Sequence, residues 1–548
     1  MNFRRFAVFL LSLLFALGVC AAGPAPAPAL MVVIVIDGLP QEQVVKYRDL
    51  YGPGGFKRLL DEGAWFGDAH HRHAVTLTAP GHATILTGAY PYRHGIIANE
   101  WVDRTSLNPA YCTEDTAHTY IGHDTKKLDG TSPANLRVST VGDELKYSNN
   151  GQSKVIAISG KDRGAILLAG KRGTAYMYMD SSGRFASSTY YMKEHPDWHA
   201  RYYAAKPQDR WMGRPWPLLL PETAYARSTV EGQPWQPRNF VGMGGRFPFQ
   251  LPESDKPAAY YAALIRTPFG DEATLDFAGA AIEGENLGNN PAGVTDILGV
   301  SLSTHDYVNH GFGPESRVSQ DHLLRVDRLL AGFFDYLDRR IGLDKVVIAL
   351  TADHGFMNAP EYSAAINLRG ARLSATKLLA ELNATLAERF GVKGNLVPRF
   401  SLPSLVFDQQ LIAKNSLNRA EVEAVAQRFL LGFPGLAGVY TRTQLESGTL
   451  PQLPLSAAVL RAWNREVSGD VYVIQNPFTL FGSQAVTHGS PYTYDTNVPL
   501  VLHGKNWIKP GKYPRAAAVA DLAPTLAYLL EIRPPAASEG RVLEEILR

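Results

Sequence analysis

Six residues, drawn from four places in the chain, have the types that bind metal ions. Asp37 follows the apolar run 31–36, Asp306 and His310 follow the run 297–303, and Asp353 and His354 follow the run 345–350. His488 stands in a Thr-His-Gly loop ahead of the run 498–502. Imidazole and carboxylate without thiolate suit Zn²⁺, with Mn²⁺ and Fe as poorer matches. Six such ligands are too many for one tetrahedral zinc and suit two ions that also take water, substrate or a nucleophile. Each residue also has an ordinary use: Asp37-Gly38 as a turn, Asp306 and His310 as neighbours across one helical turn, His488 as a loop residue. Their common placement beside apolar runs points to a shared centre. His70, His71 and His73 lie on an extended segment whose alternate side chains face opposite ways, so they read as packing or support. His82 is expected to orient the loop that carries Thr78, and His305 to point away from the centre occupied by its neighbour Asp306.

Thr78 is the candidate nucleophile. It stands before Ala79-Pro80-Gly81-His82, which reads as a helix start with threonine as cap and proline in the first turn. A helix N-terminus favours an alkoxide and a phosphate. A threonine hydroxyl attacks only when activated, and an adjacent metal would activate it.

The short apolar runs 31–36, 155–159, 297–303, 345–350 and 498–502 read as buried strands of a parallel sheet, with helical patterns such as 319–340 between them. Open parallel sheets bind ligands beyond the carboxyl ends of their strands. The expected fold is α/β, with the core over 23–165, 291–365 and 471–548. Residues 166–290, with Trp198, Trp211, Trp216 and Trp235, are too long for a loop and read as an aromatic-rich cap insertion. Residues 366–470 read as a second insertion, with helical patterns at 375–389 and 419–431.

Arg4 and Arg5, the apolar run 6–19 and the small residues after it have the layout of a secretory signal peptide over 1–22. The run is shorter than the ~20 residues of a membrane span, so cleavage and delivery to the periplasm or the exterior are expected. Lipidation at Cys20 is the alternative. Cleavage leaves Cys112 as the one cysteine, which excludes a disulfide within the chain. No later segment has the length and apolarity of a span, so no stable membrane insertion is expected after cleavage. Lys and Arg number 54 against 52 Asp and Glu, and this balance gives no reason to expect a nucleic-acid partner.

The segments Val35-Ile36-Asp37-Gly38, Thr78-Ala79-Pro80-Gly81-His82, Asn99-Glu100-Trp101, Asp306-Tyr307-Val308-Asn309-His310-Gly311, Thr351-Ala352-Asp353-His354-Gly355 and Thr487-His488-Gly489 together carry a resemblance. The chain resembles the alkaline phosphatase superfamily, on its threonine-nucleophile branch of nucleotide pyrophosphatases/phosphodiesterases and secreted bacterial alkaline phosphatases. The resemblance implies an alkaline phosphatase-like, mostly parallel sheet flanked by helices, with inserted cap regions. It implies one zinc on Asp306, His310 and His488, and a second on Asp37, Asp353, His354 and the Thr78 oxygen. It further implies that Asn99 hydrogen-bonds a phosphate oxygen. Sulfatases of the superfamily need a cysteine or serine where Thr78 stands, and Cys112 lies outside any such motif.

Lys161 and Arg163 bear on the ester class. A monoester dianion benefits from fixed cations on its non-bridging oxygens. Both residues follow the run 155–159, and on an extended segment they would point the same way, although a charged pair there is also an ordinary solvated loop. The pair resembles the Lys and Arg of the threonine-nucleophile alkaline phosphatases, whereas the diesterases use an apolar nucleotide pocket. The expected function is hydrolysis of small-molecule phosphate monoesters with two zinc ions per chain, through a phosphothreonine. The alternative is a phosphodiesterase or nucleotide pyrophosphatase. A cofactor-independent phosphoglycerate mutase usually has a serine nucleophile and is cytosolic, so Thr78 and the leader count against it. A non-catalytic binding protein, with the aromatic cap as a carbohydrate or lipid platform, is the reading outside the enzymes.

Overall fold

The computed structural model describes residues 27–548 apart from 254 and 256; the expected leader over 1–22, Cys20 included, lies outside the described residues. A nine-stranded sheet contains β1 (Leu30–Ile36), β2 (Ala64–Phe66), β3 (Val155–Ser159), β4 (Thr174–Met179), β5 (Arg184–Ala186), β6 (Asp296–Leu302), β7 (Val346–Thr351), β8 (Leu500–His503) and β9 (Gly511–Tyr513). Across the sheet the order is β9-β2-β8-β7-β1-β6-β3-β4-β5. Strand β1 is flanked in parallel by β6, in register from Leu30 opposite Asp296 to Ile36 opposite Leu302, and by β7. Strands β3 and β4 extend the parallel set. All seven residues of β1 are buried, which is why its sequence Leu-Met-Val-Val-Ile-Val-Ile is continuously apolar rather than alternating.

The run at 498–502 departs from the expected parallel arrangement. It forms β8, which pairs antiparallel with β7 and with β2. The reversal has a chemical consequence. Parallel strands deliver their functional residues after the strand, whereas β8 delivers His488 and the loop to Asn497 before it. Both kinds of loop therefore reach the same edge of the sheet.

Helices α1 (Gln41–Lys46), α2 (Thr78–Thr87), α3 (Asp162–Ala169), α4 (Pro268–Glu285), α5 (Thr304–Phe312) and α6 (Arg317–Arg340) carry or support the residues at that edge. Helix α6 opens with Ser316 accepting a hydrogen bond from the Ser319 N–H, then buries Leu323, Leu330, Phe334 and Leu337 at helical spacing while Arg339 and Arg340 stay exposed at its end.

The 166–290 stretch is not an insertion along its whole length: β4 and β5 belong to the central sheet, and α4 packs against α6. Its many tyrosines and turn residues mask β4, whose sequence Thr-Ala-Tyr-Met-Tyr-Met carries no β-branched run. Between β5 and α4, Trp211, Trp216, Phe240 and Phe249 form a small aromatic core against Val308 and Phe312 of α5. The region around 366–470 has a core of its own, including Leu378, Leu382, Leu386, Val422 and Leu430, and a four-stranded antiparallel sheet. One of those strands, Val471–Gln475, lies beyond the expected boundary at 470. No helix of the described residues is long and apolar enough to cross a membrane.

Candidate active site and metal centre

The edge formed by the ends of β1, β6 and β7 and the loop before β8 gathers the expected ligands into two groups. The ligand atoms of Asp306, His310 and His488 lie within 4.8 Å of one another, as do those of Asp37, Asp353 and His354. His354 Nε2 stands 3.6 Å from Asp37 Oδ1 within its own group and, across the groups, 3.9 Å from Asp306 Oδ1. The His354 and His488 rings stack with centroids 3.5 Å apart.

The donor set fits metal ions. Each histidine bonds a backbone carbonyl through Nδ1: His310 to Val486, His354 to Gly355 and His488 to Thr76, at 2.8–3.0 Å. Those bonds fix the proton on Nδ1 and leave the Nε2 lone pair facing inward. Asp353 Oδ1 accepts the N–H groups of Gly38 and His354, so its Oδ2 is the inward oxygen. Asp37 Oδ1, Asp306 Oδ1 and His354 Nε2 are buried without a hydrogen-bond partner. Buried polar atoms left this way are costly unless something coordinates them.

Charge gives the same result. Three carboxylates face the single ammonium of Lys161, whose Nζ lies 2.8 Å from Asp37 Oδ2 and also pairs with Asp306 Oδ2. Burial and the facing Asp353 push the Asp37 carboxyl well above its usual range. Burial acts on Asp306 in the same direction, but Lys161 and His310 overcome it and hold that carboxyl well below its usual range. Burial lowers His310 to about 4, so the ring is neutral and able to ligate at physiological pH. The uncompensated negative charge suits divalent cations.

Thr78 lies in the same neighbourhood. It is the first residue of α2 rather than its cap: Leu77 holds the cap position, and no side chain caps the helix. The hydroxyl is thus not committed to capping. Two histidines tie down the flanking backbone. His488 bonds the Thr76 carbonyl at 2.8 Å, and His82 Nδ1 lies 2.9 Å from the Thr78 carbonyl and 3.1 Å from Asp353 Oδ2. His82 Nε2 reaches Ser301 Oγ on β6 at 2.9 Å, so this residue links the Thr78 turn to the sheet. Gly81 allows the approach, because a Cβ there would lie 2.1 Å from the Asp353 carbonyl oxygen. Asn99 Oδ1 accepts the Ala79 N–H at 2.8 Å, which leaves its amide N–H groups available for a ligand.

Lys161 and Arg163 reach the site by a different geometry from the extended segment expected. Helix α3 begins at Asp162, with Lys161 at its cap and Arg163 in its first turn. Lys161 turns toward the carboxylates and lies 5.0 Å from the centre of the Tyr307 ring. Arg163 Nη1 donates to Tyr111 Oη at 3.1 Å, and its buried Nε has no partner. The contact from Tyr111 was not foreseen, because nothing in the local sequence links it to a residue 52 positions away.

The remaining histidines lie outside the two groups. His305 points away from the ligands, to Gln43 and His322. His71 Nε2 bonds the carbonyl of Ala352 at 3.0 Å, while both ring nitrogens of His73 are buried without a hydrogen-bond partner. His94 is fully buried, and burial lowers it to about 3. Its folded-state value lies below the unfolded value of roughly 6.5, so the unfolded chain binds more protons in between. His94 therefore contributes its full stability above about pH 6.5, and loses it as pH falls toward 3. The expected loss is roughly 2 kcal/mol at about pH 5. Guanidinium unfolding of wild type and His94→Gln at neutral and acidic pH checks this: the variant should lose less stability on acidification.

The sequence profile described as type I phosphodiesterase / nucleotide pyrophosphatase matches residues 31–401. A Myroides odoratus protein named calcium-transporting ATPase is 36% identical, covering 100% of both chains. Alkaline phosphatase PhoV of Synechococcus elongatus is 35% identical, covering 95% of this chain and 93% of its own. A crystal structure of wild-type alkaline phosphatase PafA superposes with a TM-score of 0.88 at 32% identity, covering 96% of this chain and 100% of that one.

Proposed function

The chain belongs to the type I phosphodiesterase / nucleotide pyrophosphatase family, and from that premise and the two acidic-histidine groups we infer its reaction. It is a metal-dependent phosphate-monoester hydrolase, supported by its full-length similarity to alkaline phosphatases and by the fold it shares with PafA. The finer reading is that two zinc ions and Thr78 carry the reaction. The observation that carries the monoester reading is Lys161, a buried ammonium beside carboxylates of both groups, where a dianionic phosphoryl group would meet it.

In this reading Asp306, His310 and His488 hold one ion; Asp37, Asp353, His354 and the Thr78 oxygen hold the other. The ions would lower the pKa of the threonine hydroxyl and of a water, and offset charge on the leaving oxygen. Thr78 Oγ1 loses its proton to solvent and attacks phosphorus in line, forming the P–Oγ1 bond as the bond to the leaving alkoxide breaks. The alkoxide takes a proton from water. Asn99, Lys161 and Arg163 hold the equatorial oxygens, over which charge is spread in a loose transition state. A water then attacks the phosphothreonine, the P–Oγ1 bond breaks, and Oγ1 regains a proton as phosphate leaves. Export by a leader over 1–22 to the periplasm or the exterior completes the reading.

The test is hydrolysis of 4-nitrophenyl phosphate and bis-4-nitrophenyl phosphate side by side at mildly alkaline pH, with and without chelator. A chelator-sensitive preference for the monoester, restored by zinc, is expected. A preference for the diester would overturn the roles of Lys161 and Arg163. The name of the Myroides relative adds ATP to the assay, because its terminal phosphoryl group, although an anhydride and not an ester, is likewise attached through a single bridging oxygen.

A further inference from the structure

Behind the Asp306 group, four elements meet in a buried chain of polar side chains. Gln43 of α1, His305 of α5, Asp271 of α4 and His322 of α6 are each at most 4% exposed. The Gln43 amide is oriented without ambiguity. Its Nε2 donates to the Pro314 carbonyl and to Ser319 Oγ, both at 2.8 Å, so Oε1 is the atom that faces His305 Nε2 at 2.8 Å. That bond requires a proton on His305 Nε2. His305 Nδ1 lies 3.0 Å from His322 Nδ1, and two nitrogens at that distance require one proton between them. His322 Nε2 lies 3.1 Å from Asp271 Oδ2, while Asp271 Oδ1 accepts the Thr304 N–H at 3.2 Å.

We propose that this buried hydrogen-bonded chain, from Asp271 through His322 and His305 to Gln43, is the positioning device for the helix that presents Asp306 and His310. The device is anchored on both sides. Thr304 Oγ1 bonds the carbonyls of Ile265 and Thr267, just ahead of α4. Ser319 Oγ donates to Asn309 Oδ1 at 2.6 Å, and Asn309 Nδ2 donates to the Gly38 carbonyl at 3.0 Å. The chain thus runs from α4 through α6 and α5 to the residue after Asp37, touching the backbone of both ligand groups without contributing a ligand. Hydrogen-bonded supports of this kind hold ligands in the orientation a metal requires. The positioning role rests on the reading that Asp306 and His310 hold a metal.

Asp271→Asn tests the positioning role, since the amide keeps the shape and removes the charge. Zinc affinity, measured by competition with a chromophoric chelator, should fall by roughly 10–100-fold, with native circular dichroism. Affinity within about twofold of wild type would overturn the positioning role. If Asp271→Asn fails to fold, His322→Gln is measured in the same way. Wild type that binds no zinc in the same titration would instead refute the metal reading under Proposed function.

Discussion

Alanine at both Lys161 and Arg163 is expected to lower kcat/KM for 4-nitrophenyl phosphate by roughly 10²–10³-fold, the scale for losing a fixed donor to a charge that develops in the transition state. The bis-ester should lose less than about tenfold, because it offers one fewer anionic oxygen to the pair. The ratio of the two losses matters more than either alone. Lys161 also pairs with Asp37 and Asp306, so its removal changes the charge balance around the ligands. Altered metal content would affect both esters alike, whereas loss of a phosphate contact acts on the monoester selectively. Steady-state kinetics on both substrates, with zinc content measured on the same samples, separates the two. Equal losses would remove Lys161 and Arg163 from substrate recognition.

Thr78→Ala should cost at least about 10³-fold in kcat, since no other hydroxyl takes over when a nucleophile is deleted. Thr78→Ser keeps the hydroxyl and loses the methyl that restricts χ1, so it should retain far more activity than the alanine variant. Rapid acid quench of wild type during turnover, followed by peptide mass analysis, should find one phosphoryl group on the peptide containing Thr78 and none in Thr78→Ala. Wild-type-like turnover by the alanine variant would point to direct attack by water. The surrounding geometry makes alanine a clean substitution. Thr78 is held through its backbone by His82, and its hydroxyl caps nothing, so the variant should fold.

Much of this site was legible in the sequence because strand ends are local signals. The runs at 31–36, 155–159, 297–303 and 345–350 are buried on both faces, so they read as apolar blocks, and the polar residues after them mark the functional edge. The 3.6-residue period likewise marked helices that the structure has at Ala375–Phe390 and Arg419–Leu431. Strand direction is not local. An apolar run reads the same either way, and only pairing with β7 makes β8 antiparallel. The same limit hid β4, because alternating tyrosine and methionine look like cap sequence until β3 lies beside them.

Local sequence signals alone place these residue types at the sheet edge: Asp37, Thr78, Asn99, Lys161, Arg163, Asp306, His310, Asp353, His354 and His488. What the tertiary structure decided is how they are held. It divides the candidate ligands into two groups, turns Lys161 toward two carboxylates and frees the Thr78 hydroxyl from capping. It also links Asp271, His305, His322 and Gln43, whose spacing in the chain carries no shared pattern. The physical reason is one of range. Burial periodicity and helix starts are written within a few residues, whereas hydrogen-bond partners and charge balance depend on segments hundreds of residues apart, and those meet only when the sheet has formed.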